Sequence, residues 1–196
     1  MTAALLLAFA GFAFVTSITP GPNNAMLLAS GVNHGFRRTL PHIAGINLGC
    51  VLMLLLVGLG LGNLFAAIPS LYLILRYLGA AYLLWLAWQI ASGPATVDGS
   101  GRPMRFWQAA AFQWVNPKAW IIVIGAVTTY APRDNFAHNV VVIAILLALV
   151  NLPILALWAA GGVALQRFLH HPSRLRAFNI AMALLLVLSL YPILKL

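Results

Sequence analysis

Thr19-Pro20-Gly21-Pro22-Asn23-Asn24 interrupts an apolar stretch that runs from about Ala3 to Ser30. Proline lacks an amide donor and clashes with the preceding turn, and glycine adds backbone freedom. Two prolines around one glycine therefore break a helix. In a chain surrounded by water this is an ordinary loop. Inside a hydrophobic span the freed amides and carbonyls have no water to bond. Broken backbone at that depth persists only when it is buried in protein or lines a cavity. The break points to a ligand or ion path through a membrane.

Composition supports a membrane setting. Of 196 residues, 63% are hydrophobic and only 7% are charged, against about a quarter charged in soluble domains. Glutamate is absent, and the two aspartates, Asp98 and Asp134, sit in short polar connectors. The net charge of +9 forms no basic cluster on a polar domain, so no nucleic-acid partner is expected. It reads as the positive charge that orients a protein in an inner membrane. The single cysteine, Cys50, lies in an apolar run, which leaves neither a disulfide framework nor a cysteine metal site. The first span lacks the positive n-region of a signal peptide and is followed by further spans.

Six apolar spans are predicted, at roughly 3–30, 41–62, 68–91, 107–130, 137–163 and 177–194. Each is near or above the roughly 18–20 residues that cross a hydrocarbon core as helix. Period-two alternation is absent, which argues against a barrel. The first, third and fifth connectors carry Arg37, Arg38, Arg102, Arg105, Arg167, Arg174 and Arg176; the opposite side carries Arg76, Arg133 and Lys195. That asymmetry places the odd connectors in the cytoplasm and both termini outside.

Leu75-Arg76 opens the third span and Leu175-Arg176 the sixth, and Ala81, Leu84 and Leu86 match Ala181, Leu184 and Leu186 at the same offset. The breaks are a stronger sign of a repeat. Pro20-Gly21-Pro22 interrupts span one, and Asn116-Pro117-Lys118 interrupts span four, its counterpart in the second half. Three spans per half make the halves inverted, and matched interruptions in inverted halves point to a midplane transport site. The expected fold is an all-α membrane protein of six transmembrane helices, arranged as two inverted three-helix repeats with helices 1 and 4 broken. One domain spans 1–196, with halves of about 1–92 and 107–196 and a cytoplasmic linker at 93–106.

Lys118 is the one ionisable residue near the middle of a span. A charge there costs at least ~2.5–3.5 kcal/mol on insertion scales, so such a residue normally faces the bundle interior or a wet cavity. Snorkelling to the surface is the alternative. At ~1.5 Å per residue, however, the cytoplasmic end lies nearly 20 Å away, beyond a lysine stem. An ammonium in this place can pair with a substrate carboxylate. Asn23 and Asn24 follow the first break, where helix resumes. Their amides fall in an unpaired first turn suited to a carboxylate, and their side chains are equally suited to capping that helix.

The remaining intramembrane polar residues are Asn47, Gln113, Asn116, Asn151 and Asn179, for each of which interhelical hydrogen bonding competes with substrate contact. Asn151-Leu152-Pro153 is a third candidate break. Gly45 and Gly49, and Gly58, Gly60 and Gly62, are spaced for close helix approach. Trp85, Trp88, Trp107 and Tyr130 lie near span ends, as interfacial anchors do. Trp114, beside Gln113 and Asn116, is a candidate cavity wall. His34, His138, His170 and His171 fall in or beside connectors, and His42 opens span two. No grouping has metal-ligand spacing. An enzyme of the membrane interior, acting on a lipid or peptide, is the competing class, but no intramembrane carboxylate or metal motif is present to support it.

Thr19-Pro20-Gly21-Pro22-Asn23-Asn24, with Gly31 and His34-Gly35-Phe36-Arg37 after it, resembles the signature of the LysE/RhtB amino-acid exporters. So do Gly45 to Gly49, Leu78-Gly79-Ala80-Ala81-Tyr82-Leu83 with Trp85, and Asn116-Pro117-Lys118-Ala119. The likeness covers essentially the whole chain. It implies a bacterial inner-membrane exporter, with an amino-acid substrate, the lipid bilayer as its surroundings and no cofactor. It is compatible with a homo-oligomer. Many relatives carry Asp after the second glycine of the span-two motif, where this chain has Cys50. Without an acid in any span, a cationic substrate has no obvious counter-charge, and small neutral substrates fit better. The resemblance is closest to the cysteine/O-acetylserine branch, with threonine/homoserine and leucine types left open. The substrate-binding set expected is Pro20, Gly21, Pro22, Asn23, Asn24, Asn47, Gln113, Trp114, Asn116, Pro117, Lys118 and Asn151. No nucleotide-binding motif is present, so the driving force expected is a proton gradient, with Lys118 or His42 as the titrating group.

Overall fold

The computed structural model describes residues 1–61, 69–93, 103–169 and 171–191, and these contain helices and no strand. Thr2 caps α1 (Ala3–Ile18), its hydroxyl accepting from the Leu5 amide at 3.3 Å. The helix stops at Thr19, whose extended backbone is what a residue before proline prefers. Pro22 then occupies the first position of α2 (Pro22–His34), where its missing donor costs nothing. The two helices meet at 56°. Gly35, at φ 78°, turns the chain from α2 into α3 (Phe36–Leu56), a left-handed conformation that favours glycine.

A short π-helical turn at Val57–Leu61 contains Gly60 at φ 139°. There follow α4 (Pro69–Ala91), α5 (Phe106–Phe112), a tight 3₁₀ turn (Gln113–Val115), α6 (Pro117–Tyr130), α7 (Phe136–Gln166) and α8 (Pro172–Leu188). Both expected breaks are present, but Asn151-Leu152-Pro153 does not break α7, which runs unbroken through Pro153 for 31 residues. A lone proline removes one backbone bond and leaves the long apolar flanks to hold the helix. Pro20-Gly21-Pro22 removes two donors and adds a glycine.

Among the described residues, three helices are long and apolar enough to cross a membrane: Phe36–Gly60, Leu73–Ala91 and Phe136–Gln166. The bent pair α1/α2 makes a fourth if counted as one span. On this measure six is not reached, because α8 has 17 residues and the α5–α6 region is divided into helices of 7 and 14. Large apolar side chains cover the outside, with Leu7 at 74% exposure, Leu149 at 66% and Leu188 at 65%. That is the surface of a protein surrounded by lipid. Trp88 and Trp107 are exposed as anchors would be. Tyr130 is not: its ring packs on Phe9 and Phe12, with centroids 5.4 and 5.3 Å away.

Phe9, Met53, Val123 and Ile143 pack together between α1, α3, α6 and α7. Met26, Leu83, Phe112 and Leu186 do so between α2, α4, α5 and α8. Small residues bring helices close. A Cβ on Gly31 would meet the Ala159 carbonyl at 2.2 Å, and one on Gly45 the Phe106 carbonyl at 2.3 Å. The Gly45–Gly49 spacing read as packing thus seats α3 on α5, and Gly31, outside that reading, seats α2 on α7. Gly58 abuts Val140 in the same way, Gly60 turns the chain instead, and Gly62 lies outside the described residues.

Candidate functional site

The two breaks meet. Asn116 caps α6, its side-chain oxygen accepting from the Lys118 amide at 3.1 Å. This cap, with Pro117 behind it, fixes the first turn of α6 and aims Lys118 at the other break. The Lys118 ammonium donates to the Thr19 carbonyl and lies 3.5 Å from the Pro20 carbonyl. These carbonyls are within its reach because the chain leaves the helix here: the amides of Asn23 and Asn24, which would bond them in a continuous helix, lie instead in the first turn of α2. Gly21 makes room, since a Cβ there would stand 2.9 Å from Lys118 Cδ.

Asn24 closes the break from the far side, donating to the carbonyls of Ser17 and Thr19, each at 2.9 Å. Its side chain thus caps the end of α1 rather than the start of α2. Asn23 faces Gln113 and exchanges two hydrogen bonds with it, at 2.8 and 3.2 Å. Gln113 is fully buried; its amide also donates to the Ala109 carbonyl at 2.8 Å, and its oxygen accepts from Asn116 at 3.4 Å and Cys50 at 3.5 Å. Across the cavity Asn151 donates to Asn47 at 3.1 Å, and Asn47 to the Ala148 carbonyl at 3.3 Å.

A small cavity lies among these groups, with about 40 Å³ in which a water-sized sphere can be centred. That is room for about three waters at ~10–15 Å³ each. Of the expected set, Gly21, Asn23, Asn24, Asn116, Lys118 and Asn151 line it. Gln113 supports it through Asn23, and Asn47 through Asn151. Pro20, Pro22 and Pro117 shape the backbone. Trp114 is not among the lining residues. Its carbonyl accepts from Trp120 Nε1 at 2.8 Å, and its ring meets that of Trp120 edge-on at 6.1 Å. In a 3₁₀ turn successive side chains point about 120° apart, so with Gln113 inward its neighbour turns away. Sequence reasoning missed Thr16, Ser17 and Cys50 as lining residues. Small hydroxyl and thiol side chains leave no trace in a hydropathy profile.

The arrangement can capture an anion beside backbone acceptors. One ammonium and the uncapped first turn of α2 present positive charge. The carbonyls of Thr19 and Pro20 present the opposite. Among the described residues, Asp134 is not in its lining. A family profile described as LysE type translocator matches residues 14–189. The chain belongs to this family. The cysteine/O-acetylserine efflux proteins of Salmonella typhimurium and Escherichia coli are 39% and 38% identical to it over 190 residues, which are 95% of this chain and 96% of theirs. The protein of that name from Shigella flexneri is also 38% identical. No solved structure matches. This translocator is a membrane transporter and not an enzyme, and the reading as an enzyme of the membrane interior is set aside.

Proposed function

We propose that this translocator exports small neutral amino acids of the cysteine and O-acetylserine type across the bacterial inner membrane, with the substrate carboxylate held by Lys118. The observation that carries this reading is the meeting of the two breaks, where the Lys118 ammonium reaches the carbonyls of Thr19 and Pro20. A carboxylate arriving at the first turn of α2 takes over the ammonium. The carbonyls it leaves become acceptors for the substrate's own ammonium. The efflux proteins named above support the substrate class, and so does the uncharged Cys50 in the cavity wall.

The six-span, inverted-repeat arrangement belongs to the same proposal. The Asn47–Asn151 bond joins the middle span of each half. Helix α1 packs on α7 as α5 packs on α3. The paired repeat segments in α4 and α8 pack on each other through Leu83, Leu86 and Leu186. The odd connectors face the cytoplasm, and export runs against an inward proton gradient, with Lys118 losing its proton as the substrate leaves. Inverted membrane vesicles test this with radiolabelled cysteine, O-acetylserine, threonine, homoserine and leucine. Accumulation of cysteine or O-acetylserine, raised by an imposed proton gradient, is the expected result. Accumulation of none of the five would overturn the reading. Accumulation indifferent to the gradient would leave a facilitated uniporter.

A further inference from the structure

A second, larger cavity of about 730 Å³ opens between α2, α3, α4 and the start of α5, beside Gly93 and the end of α2. Its lining shares no residue with the cavity at Lys118. Three of its lining side chains carry buried polar atoms without a hydrogen-bond partner: Asn33 Oδ1, His34 Nδ1, and both ring nitrogens of His42. His42, expected at the mouth of a span, is instead inside α3 and only 2% exposed. Folded proteins pair nearly all buried polar atoms, and each exception calls for a missing partner.

The orientation of these groups is built in. The Asn33 amide nitrogen donates to the Ala29 carbonyl at 2.8 Å and to Asn179 Oδ1 at 3.2 Å, which fixes the side chain and leaves its buried oxygen without a partner. A neutral imidazole adds one acceptor and one donor. Tyr82 and Trp85, stacked with centroids 5.4 Å apart, form an aromatic wall, whose faces attract a cation. Arg105 contributes a guanidinium to the lining, the natural partner of a carboxylate. Unpartnered acceptors, aromatic ring faces and a guanidinium in one lining suit a zwitterion.

We infer that this hollow is a second binding site, which takes up a zwitterionic amino acid, with Asn33 and His42 on its ammonium and Arg105 on its carboxylate. The site rests on the proposed export reading: it is an intake position, occupied before the substrate reaches Lys118. It adds residues of α2, α3 and α5 that the break-centred site does not use.

Fluorine NMR of protein grown with 5-fluorotryptophan tests the inference without requiring tight binding. The chain has 6 tryptophans. Trp85 and Trp88 line the hollow, whereas Trp114 and Trp120 lie near Lys118 in sequence. Titrated L-cysteine should shift the Trp85 resonance saturably, both in the wild type and in Lys118→Met. His42→Leu should abolish that shift and leave the Trp120 response intact, and His42→Gln should retain it. Asn33→Leu should weaken it independently, which keeps the test open if one variant fails to fold. A Trp85 resonance that stays still while Trp120 responds would overturn the intake site and leave the export reading standing. So would a Trp85 shift unchanged by His42→Leu. A Trp85 shift in a protein that transports no amino acid would keep the site and overturn the export reading.

Discussion

Gln113 holds the small cavity together from behind. Its oxygen accepts from Asn23, Cys50 and Asn116, and its amide donates to Asn23 and Ala109. Gln113→Leu leaves the amides of Asn23 and Asn116 enclosed without that partner. Each such buried orphan costs about 1–3 kcal/mol. A lower melting temperature of the detergent-purified variant is the expected outcome; an unchanged one would show that the network adds nothing to stability. Lys118 was legible in the sequence because a charge in mid-span is expensive and has few tolerable positions. The role of Gln113 was legible only as polarity. Which way it and Trp114 point is set by the 3₁₀ turn, a feature of backbone geometry that no residue pattern in 113–115 announces. Asn24 likewise read as a cap for the helix it begins, but the carbonyls exposed at the end of α1 were the nearer need.

At the scale of elements, the breaks were readable because proline and glycine chemistry is local. Pro153 shows where that reading stops: whether a helix survives a proline depends on what packs along its flanks. Close crossings give a sharper test. A Cβ on Gly31 meets the backbone carbonyl of Ala159 at 2.2 Å, whereas one on Gly161 finds its nearest atom, a leucine methyl, at 3.6 Å. Gly31→Ala should therefore destabilise by about 1–3 kcal/mol, the usual range for forcing a group into a packed contact. Gly161→Ala should melt near the wild type. Equal melting temperatures for the two variants would mean that α2 and α7 are not packed as closely as described.

For the whole molecule, the membrane class and the all-helical fold were written in composition and hydropathy. The number of crossings was not. The α5–α6 region is broken into pieces each shorter than a bilayer, and α8 has 17 residues, so length alone does not decide. Orientation can be decided by labelling. In a Cys50→Ala background, a cysteine at exposed Ser92 should resist an impermeant reagent in intact cells, and one at exposed Asn135 should react. The reverse pattern would invert the topology. The central claim is that transport passes through the meeting of the two breaks, and one measurement addresses it directly. Uptake of radiolabelled cysteine into proteoliposomes is compared for wild type, Lys118→Met and Lys118→Arg at equal protein content. The account predicts background uptake for Lys118→Met and at most partial uptake for Lys118→Arg, since a planar guanidinium does not replace a compact ammonium. Wild-type uptake by Lys118→Met would contradict it.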